Sequence, residues 1–153
     1  MKAGIKGFVA IRVLFLAYLA VLLWLLFGQR LEGGVPEISL AGDRSHINLV
    51  PFETIRLYVN LLRSGASKDL IRHATVNLAG NVLMFVPMGW FMPRIFRKYR
   101  WLIRFVFGAA GFICLVEIAQ YVTGLGVCDV DDLILNGIGM FLGYGFWRLT
   151  RKK

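Results

Sequence analysis

At 153 residues the chain is long enough for one soluble domain, but 58% hydrophobic content against 18% charge, with a mean hydropathy of +0.65, points to a membrane protein instead. Its net charge of +9 would suit nucleic acid if the charge were spread over a polar surface. Instead the basic residues gather at Lys2, Lys6 and Arg12, at Arg94, Arg97, Lys98, Arg100 and Arg104, and at Arg148, Arg151, Lys152 and Lys153, with no acid among them. They alternate with apolar runs, as cytoplasmic ends of membrane helices do, so a nucleic-acid partner is not expected.

Those runs predict an all-α polytopic membrane protein forming a single domain over residues 1–153, with four transmembrane helices at about 8–28, 75–96, 103–123 and 129–148. The first run, interrupted only by Arg12, follows a basic start and could be a signal peptide. It is long for such a segment, and Gly28-Gln29-Arg30-Leu31-Glu32 offers no small-residue cleavage site, so retention is expected. A loop over 29–74 follows. Arg30 to Ser45, with Gly33, Gly34, Pro36 and Gly42, reads as irregular, whereas Pro51 suits the first position of an amphipathic interfacial helix at about 51–63. There Phe52, Ile55, Val59 and Leu62 repeat on one face against Glu53, Arg56, Asn60 and Arg63.

The basic clusters place both termini in the cytoplasm, and every acid falls in the outer loop or the outer half of a helix. Three membrane runs carry polar side chains in pairs one turn apart: Asn77 and Asn81, Glu117 and Gln120, Asp132 and Asn136. Such groups are costly in hydrocarbon unless they face a bundle interior, a partner or a cavity. Asn81, Glu117 and Asn136 lie roughly 8–10 Å below the expected outer ends of their helices, and the other three about one turn shallower. The spacing therefore predicts two polar layers shared by three helices, opening outward.

The last helix opens with Asp129-Val-Asp131-Asp132. Capping of that helix explains Asp129 and Asp131 as readily as a site does, and explains Asp132, stacked on Asn136, less well. Gly139 and Gly143, widened by Gly137 and Gly145, predict close packing between the third and fourth membrane helices, carrying Glu117 toward Asp132. Cys114 and Cys128 differ in depth by roughly 10 Å, too far for a bridge, and read as small apolar core residues. Glu117, Asp129, Asp131 and Asp132 are hard oxygen donors, with His46 and His73 on the same side, yet no zinc-type spacing exists and no metal or other cofactor is expected.

The ordered set Asn48-Leu-Val-Pro51-Phe52-Glu-Thr54, Asn77-Leu-Ala-Gly80-Asn81 with Phe85-Val-Pro87-Met-Gly89, Glu117-Ile-Ala-Gln120, and Asp129-Val-Asp-Asp132-Leu-Ile-Leu-Asn136-Gly-Ile-Gly139-Met-Phe-Leu-Gly143-Tyr144 resembles the VanZ-like membrane proteins. The resemblance implies a bacterial plasma-membrane protein associated with reduced susceptibility to teicoplanin and related lipoglycopeptides. It implies no settled reaction. Where many such proteins carry Arg before the Asp motif, this chain has Gly126-Val-Cys128, and Arg56 is the candidate replacement. The expected ligand-binding set is Asn48, Arg56, Asn77, Asn81, Glu117, Gln120, Asp129, Asp132 and Asn136, with an envelope lipid, a lipid-linked cell-wall component or the drug itself as partner. The alternative is an enzyme acting on a lipid or glycolipid head group, with Glu117 and Asp132 sharing acid–base work. A third reading makes the polar groups interhelical clamps.

Overall fold

The structure is a computed structural model that describes residues 2–28, 47–125 and 128–151. The expectations for the irregular loop, His46 and Gly126 fall outside the described residues. Helix α1 runs Lys2–Leu23 and loosens into a π turn at Trp24–Gly28. The short helix α2 spans Glu53–Arg63, and α3 spans Lys68–Ile95. A 3₁₀ turn at Arg97–Arg100 leads into α4, Leu102–Thr123, and α5 runs Val130–Thr150. Two short parallel strands, β1 (Ile47–Asn48) and β2 (Cys128–Asp129), pair Ile47 with Cys128 and Asn48 with Asp129.

Among the described residues, three segments are long and apolar enough to cross a membrane: Gly7–Gly28, α3 and α4. In α5, Asp131, Asp132 and Arg148 interrupt the apolar pattern. Helix α3 begins seven residues before the expected 75, because Ser67 caps it by accepting from the Leu70 N–H at 3.4 Å. The added turns hold His73 against Tyr58 of α2, with ring centroids 5.8 Å apart. Pro51 is not the first helical residue of α2. Phe52 precedes Glu53 with φ 66°, a left-handed conformation that costs a side-chain-bearing residue about 1–2 kcal/mol and needs outside support.

The glycine seam is where packing departs most from the sequence expectation. A Cβ on Gly139 would overlap the Val82 carbonyl, and one on Gly143 would overlap the Val86 carbonyl. Across the seam, a Cβ on Gly89 would overlap the Met140 carbonyl. The seam therefore joins α5 to α3, not to α4, and brings the two backbones together as small-residue motifs allow. Gly137 and Gly145 do not belong to it, since a Cβ at either meets nothing within 4 Å. Helix α4 reaches α5 through aromatic rings, Phe105 stacking on Tyr144 at 4.3 Å. Helix α1 leans on α3 through Tyr18, which donates to the Met84 carbonyl at 2.7 Å and stacks on Phe91.

The buried core joins Leu22, Phe85, Met88, Ile113, Met140 and Trp147 from all four long helices. Large apolar side chains cover much of the outside, including Leu16, Leu83, Phe107, Leu115 and Val122. Cys114 is exposed on α4 and Cys128 is half-buried, so neither is a core residue, and both are free thiols.

Candidate functional site

Two polar assemblies occupy the end of the bundle where α5 begins. The outer one ties the Asn48–Thr54 segment to the Asp129–Asp131 segment. Asp129 caps α5, its Oδ1 accepting from the Asp131 N–H at 2.8 Å. Its Oδ2 accepts from the Thr54 hydroxyl at 2.6 Å, and that hydroxyl in turn accepts from Asn48 Nδ2 at 3.1 Å. Asn48 Oδ1 takes the Val50 N–H at 3.1 Å.

Asp131 does not cap its own helix. It is fully buried, with Oδ1 accepting from the Phe52 N–H at 2.5 Å and Oδ2 from the Ile55 N–H at 3.0 Å. One carboxylate thus satisfies two of the donors that a helix start leaves unpaired, and its charge faces the positive end of the α2 dipole. This contact supports the left-handed Phe52. It also explains why the two motifs occur in one chain: the start of α5 builds the start of α2.

The inner assembly is a cavity of about 50 Å³. Its polar lining is Asn81 of α3, Glu117 and Gln120 of α4, and Asp132 and Asn136 of α5. Among the described residues, Leu25, Leu26 and Met84 add the rest of the lining. Asn81 Nδ2 donates to Asp132 Oδ1 across the α3–α5 seam. Gln120 Nε2 donates to the Leu26 carbonyl, in the π turn that follows α1, at 3.2 Å. Glu117 is 4% exposed and Asn136 2%, so both are held away from bulk solvent. Asn136 Oδ1 accepts no hydrogen bond among the described residues.

Of the expected ligand-binding residues, the structure gathers Asn81, Glu117, Gln120, Asp132 and Asn136 around the cavity. Asn48 and Asp129 belong to the outer assembly. Asn77 lies one turn from Asn81 with a buried Oδ1 that has no partner among the described residues, and it does not line the cavity. Arg56 is exposed on α2 and does not reach the cavity either. Among the described residues no three His, Cys, Asp or Glu side chains converge to hold a metal ion: Asp131 is committed to α2, while Asp129 and Asp132 serve separate assemblies. Sequence reasoning missed Leu25 and Leu26, whose contribution is a wall and a backbone carbonyl and leaves no polar side chain to notice. Beside the cavity, Cys128 has its thiol pKa pushed above the ordinary value, first by burial and then by the Glu117 and Asp129 carboxylates.

The VanZ/LLP1 family matches residues 15–151 of this chain. Protein VanZ of Enterococcus faecium is 27% identical over 146 residues, which cover 95% of this chain and 78% of that protein. No solved structure matches. The matched region takes in every residue of both polar assemblies, and the chain belongs to the VanZ/LLP1 family.

Proposed function

We propose that this protein spans the bacterial plasma membrane four times with both termini in the cytoplasm. In this reading α2 lies at the outer surface, and the cavity binds an envelope lipid, a lipid-linked cell-wall component or a lipoglycopeptide. Binding there lowers susceptibility to teicoplanin-type drugs. The observation that carries the reading is the convergence of Glu117 and Asp132 with three amides on one cavity. Interhelical hydrogen bonds in membranes contribute only about 0.6–2 kcal/mol each, a small return for burying Glu117 and partly burying Asp132. Family membership and the relative named Protein VanZ support the link to resistance. The fourth span rests on α5 packing along α3, the longest of the apolar helices.

The function is tested by Glu117→Gln and Asp132→Asn. Both keep volume and hydrogen-bonding groups while removing the ability to ionise. Each is expected to bring drug susceptibility back to that of cells lacking the protein, at unchanged accumulation in the membrane. Asp129→Asn should be nearly silent, because Asn caps as well as Asp and can still pair with Thr54. Full protection by both cavity variants would refute the ligand-site reading in favour of a structural clamp. The enzyme reading is favoured by the shared cavity of the two carboxyl groups, and mass spectrometry of envelope lipids separates it. Head groups that change with wild type and not with Glu117→Gln would mark an enzyme.

Orientation has its own readout in the native cysteines. A membrane-impermeant maleimide applied to intact cells should label Cys128 but not Cys114, which faces outward from mid-helix. Because the thiolate is the reactive form and the Cys128 pKa is raised, labelling should be slow at neutral pH and accelerate into the alkaline range. Glu117→Gln should move that profile toward neutral pH. Labelling of a cysteine introduced at Lys98 under the same conditions would reverse the topology.

A further inference from the structure

We infer that the end of the bundle away from the cavity binds an anionic glycerophospholipid, in a groove where the 3₁₀ turn meets α4. The groove, of about 500 Å³, is lined by Lys98, Tyr99, Ile103, Arg104, Phe107 and Gly108. Ile103 and Phe107 are spaced i,i+4, as are Arg104 and Gly108, so one face of α4 supplies most of the lining. Gly108 seats the Tyr99 ring: a Cβ there would overlap that ring and press on the Met92 methyl group. Lys98 Nζ lies 4.8 Å from the centroid of the same ring. The ring packed on α4 thus brings Lys98 of the turn to the helix that carries Arg104.

Charge and polarity select the ligand. Residues 1–31, 70–116 and 133–153 contain no Asp or Glu, so the segments that build this end carry cations and no acid to neutralise them. Several of those cations are engaged. Arg94 lies over Trp90 at 4.4 Å, Arg151 over Trp147 at 5.4 Å, and Arg100 Nε donates to the Pro93 carbonyl at 3.3 Å. Arg104 instead stands in the first turn of α4, where the helix dipole disfavours a cation and no acid accompanies it. An anionic phosphodiester in the groove meets both Lys98 and Arg104 with charge-assisted hydrogen bonds. The rest of the groove is apolar, and exposed Ile103 and Phe107 continue along α4 as exposed Leu115 and Ile118. From Phe107 to Ile118 the helix rises about 16 Å, the depth of one leaflet of a roughly 30 Å core. An acyl chain covers that face, and a soluble anion does not. A zwitterionic head group brings its own cation to a site that already has two. Under the proposed topology the groove lies in the inner leaflet, whose anionic lipids attract basic segments.

The test uses the full chain in nanodiscs of equal phosphatidylglycerol and phosphatidylcholine, with the lipid that stays bound on release read by native mass spectrometry. Each groove cation near the surface is expected to favour the anionic lipid about fivefold, so phosphatidylglycerol should be retained about 25-fold over phosphatidylcholine. Lys98→Gln with Arg104→Gln should bring the two lipids within about twofold of each other. Arg97→Gln, an exposed cation of the same turn outside the groove lining, should keep most of the preference. Inorganic phosphate and glycerophosphoglycerol, the head group without its acyl chains, should not displace the lipid. Equal retention of the two lipids by the unmodified chain would overturn the inference, and that comparison stands even if the double variant fails to fold. A preference lost as fully in Arg97→Gln as in the double variant would assign it to diffuse charge and overturn the groove. Displacement by inorganic phosphate or by the deacylated head group would assign the cations to a soluble anion, again overturning it. The inference uses the membrane-spanning character of α4 and not the cavity. Glu117→Gln should therefore keep the phosphatidylglycerol preference whether or not it still protects cells, which separates failure here from failure of the proposed function.

Discussion

Gly143→Val is expected to remove most folded protein from the membrane. At this position α5 lies so close to α3 that even a methyl group would overlap the Val86 carbonyl and press on the Trp90 backbone nitrogen. Backbone atoms cannot rotate away as a side chain can, so the helices must separate. Inserting methylenes into a packed core commonly costs about 1–3 kcal/mol, and a clash against main chain belongs at or above the top of that range. Against a total stability of about 5–15 kcal/mol, this is a large fraction. Separation would also pull Asn81 from Asp132 and open the cavity. Gly139→Val should behave alike through Val82. Gly137→Ala and Gly145→Ala are the matched controls, since both point into open space. They should be neutral or stabilising by up to about 1 kcal/mol, because alanine is the better helix former. Membrane accumulation and thermal unfolding in detergent provide the check; equal stability of Gly143→Val and Gly145→Ala would contradict the close approach.

Asp131→Ala should release α2 while leaving the long helices assembled. The substitution strands the N–H groups of Phe52 and Ile55, each a loss of about 1–3 kcal/mol where it stays buried. It also removes the charge facing the α2 dipole and the contact that supports Phe52 at φ 66°. Hydrogen exchange should rise across 53–63 and stay unchanged in α3 and α5. Asp131→Asn keeps one acceptor oxygen and should produce a partial version of the effect. Unaltered protection of α2 in Asp131→Ala would show that its remaining contacts, Tyr58 against His73 among them, hold it without the carboxylate.

The sequence by itself determined what depends on neighbours along the chain. Runs of apolar residues set the long helices. The i,i+3 and i,i+4 spacing of Glu117 with Gln120 and of Asp132 with Asn136 put each pair on one face, and both pairs face the cavity. Asp129 was legible as a cap because its acceptor is needed two residues away. Tertiary structure alone decided what depends on how helices rotate and cross. It separated Gly139 and Gly143, which meet α3, from Gly137 and Gly145, which meet nothing, although all four punctuate the same helix. It gave Asp131, two residues from Asp129 and chemically identical, to a helix start 76 to 79 residues away. It left Arg56 and Asn77 out of the cavity and brought in the Leu26 carbonyl from the π turn that follows α1. The physical reason is common to all of these: local periodicity fixes which residues share a face, whereas the atom opposite that face is set by close packing between segments distant in the chain.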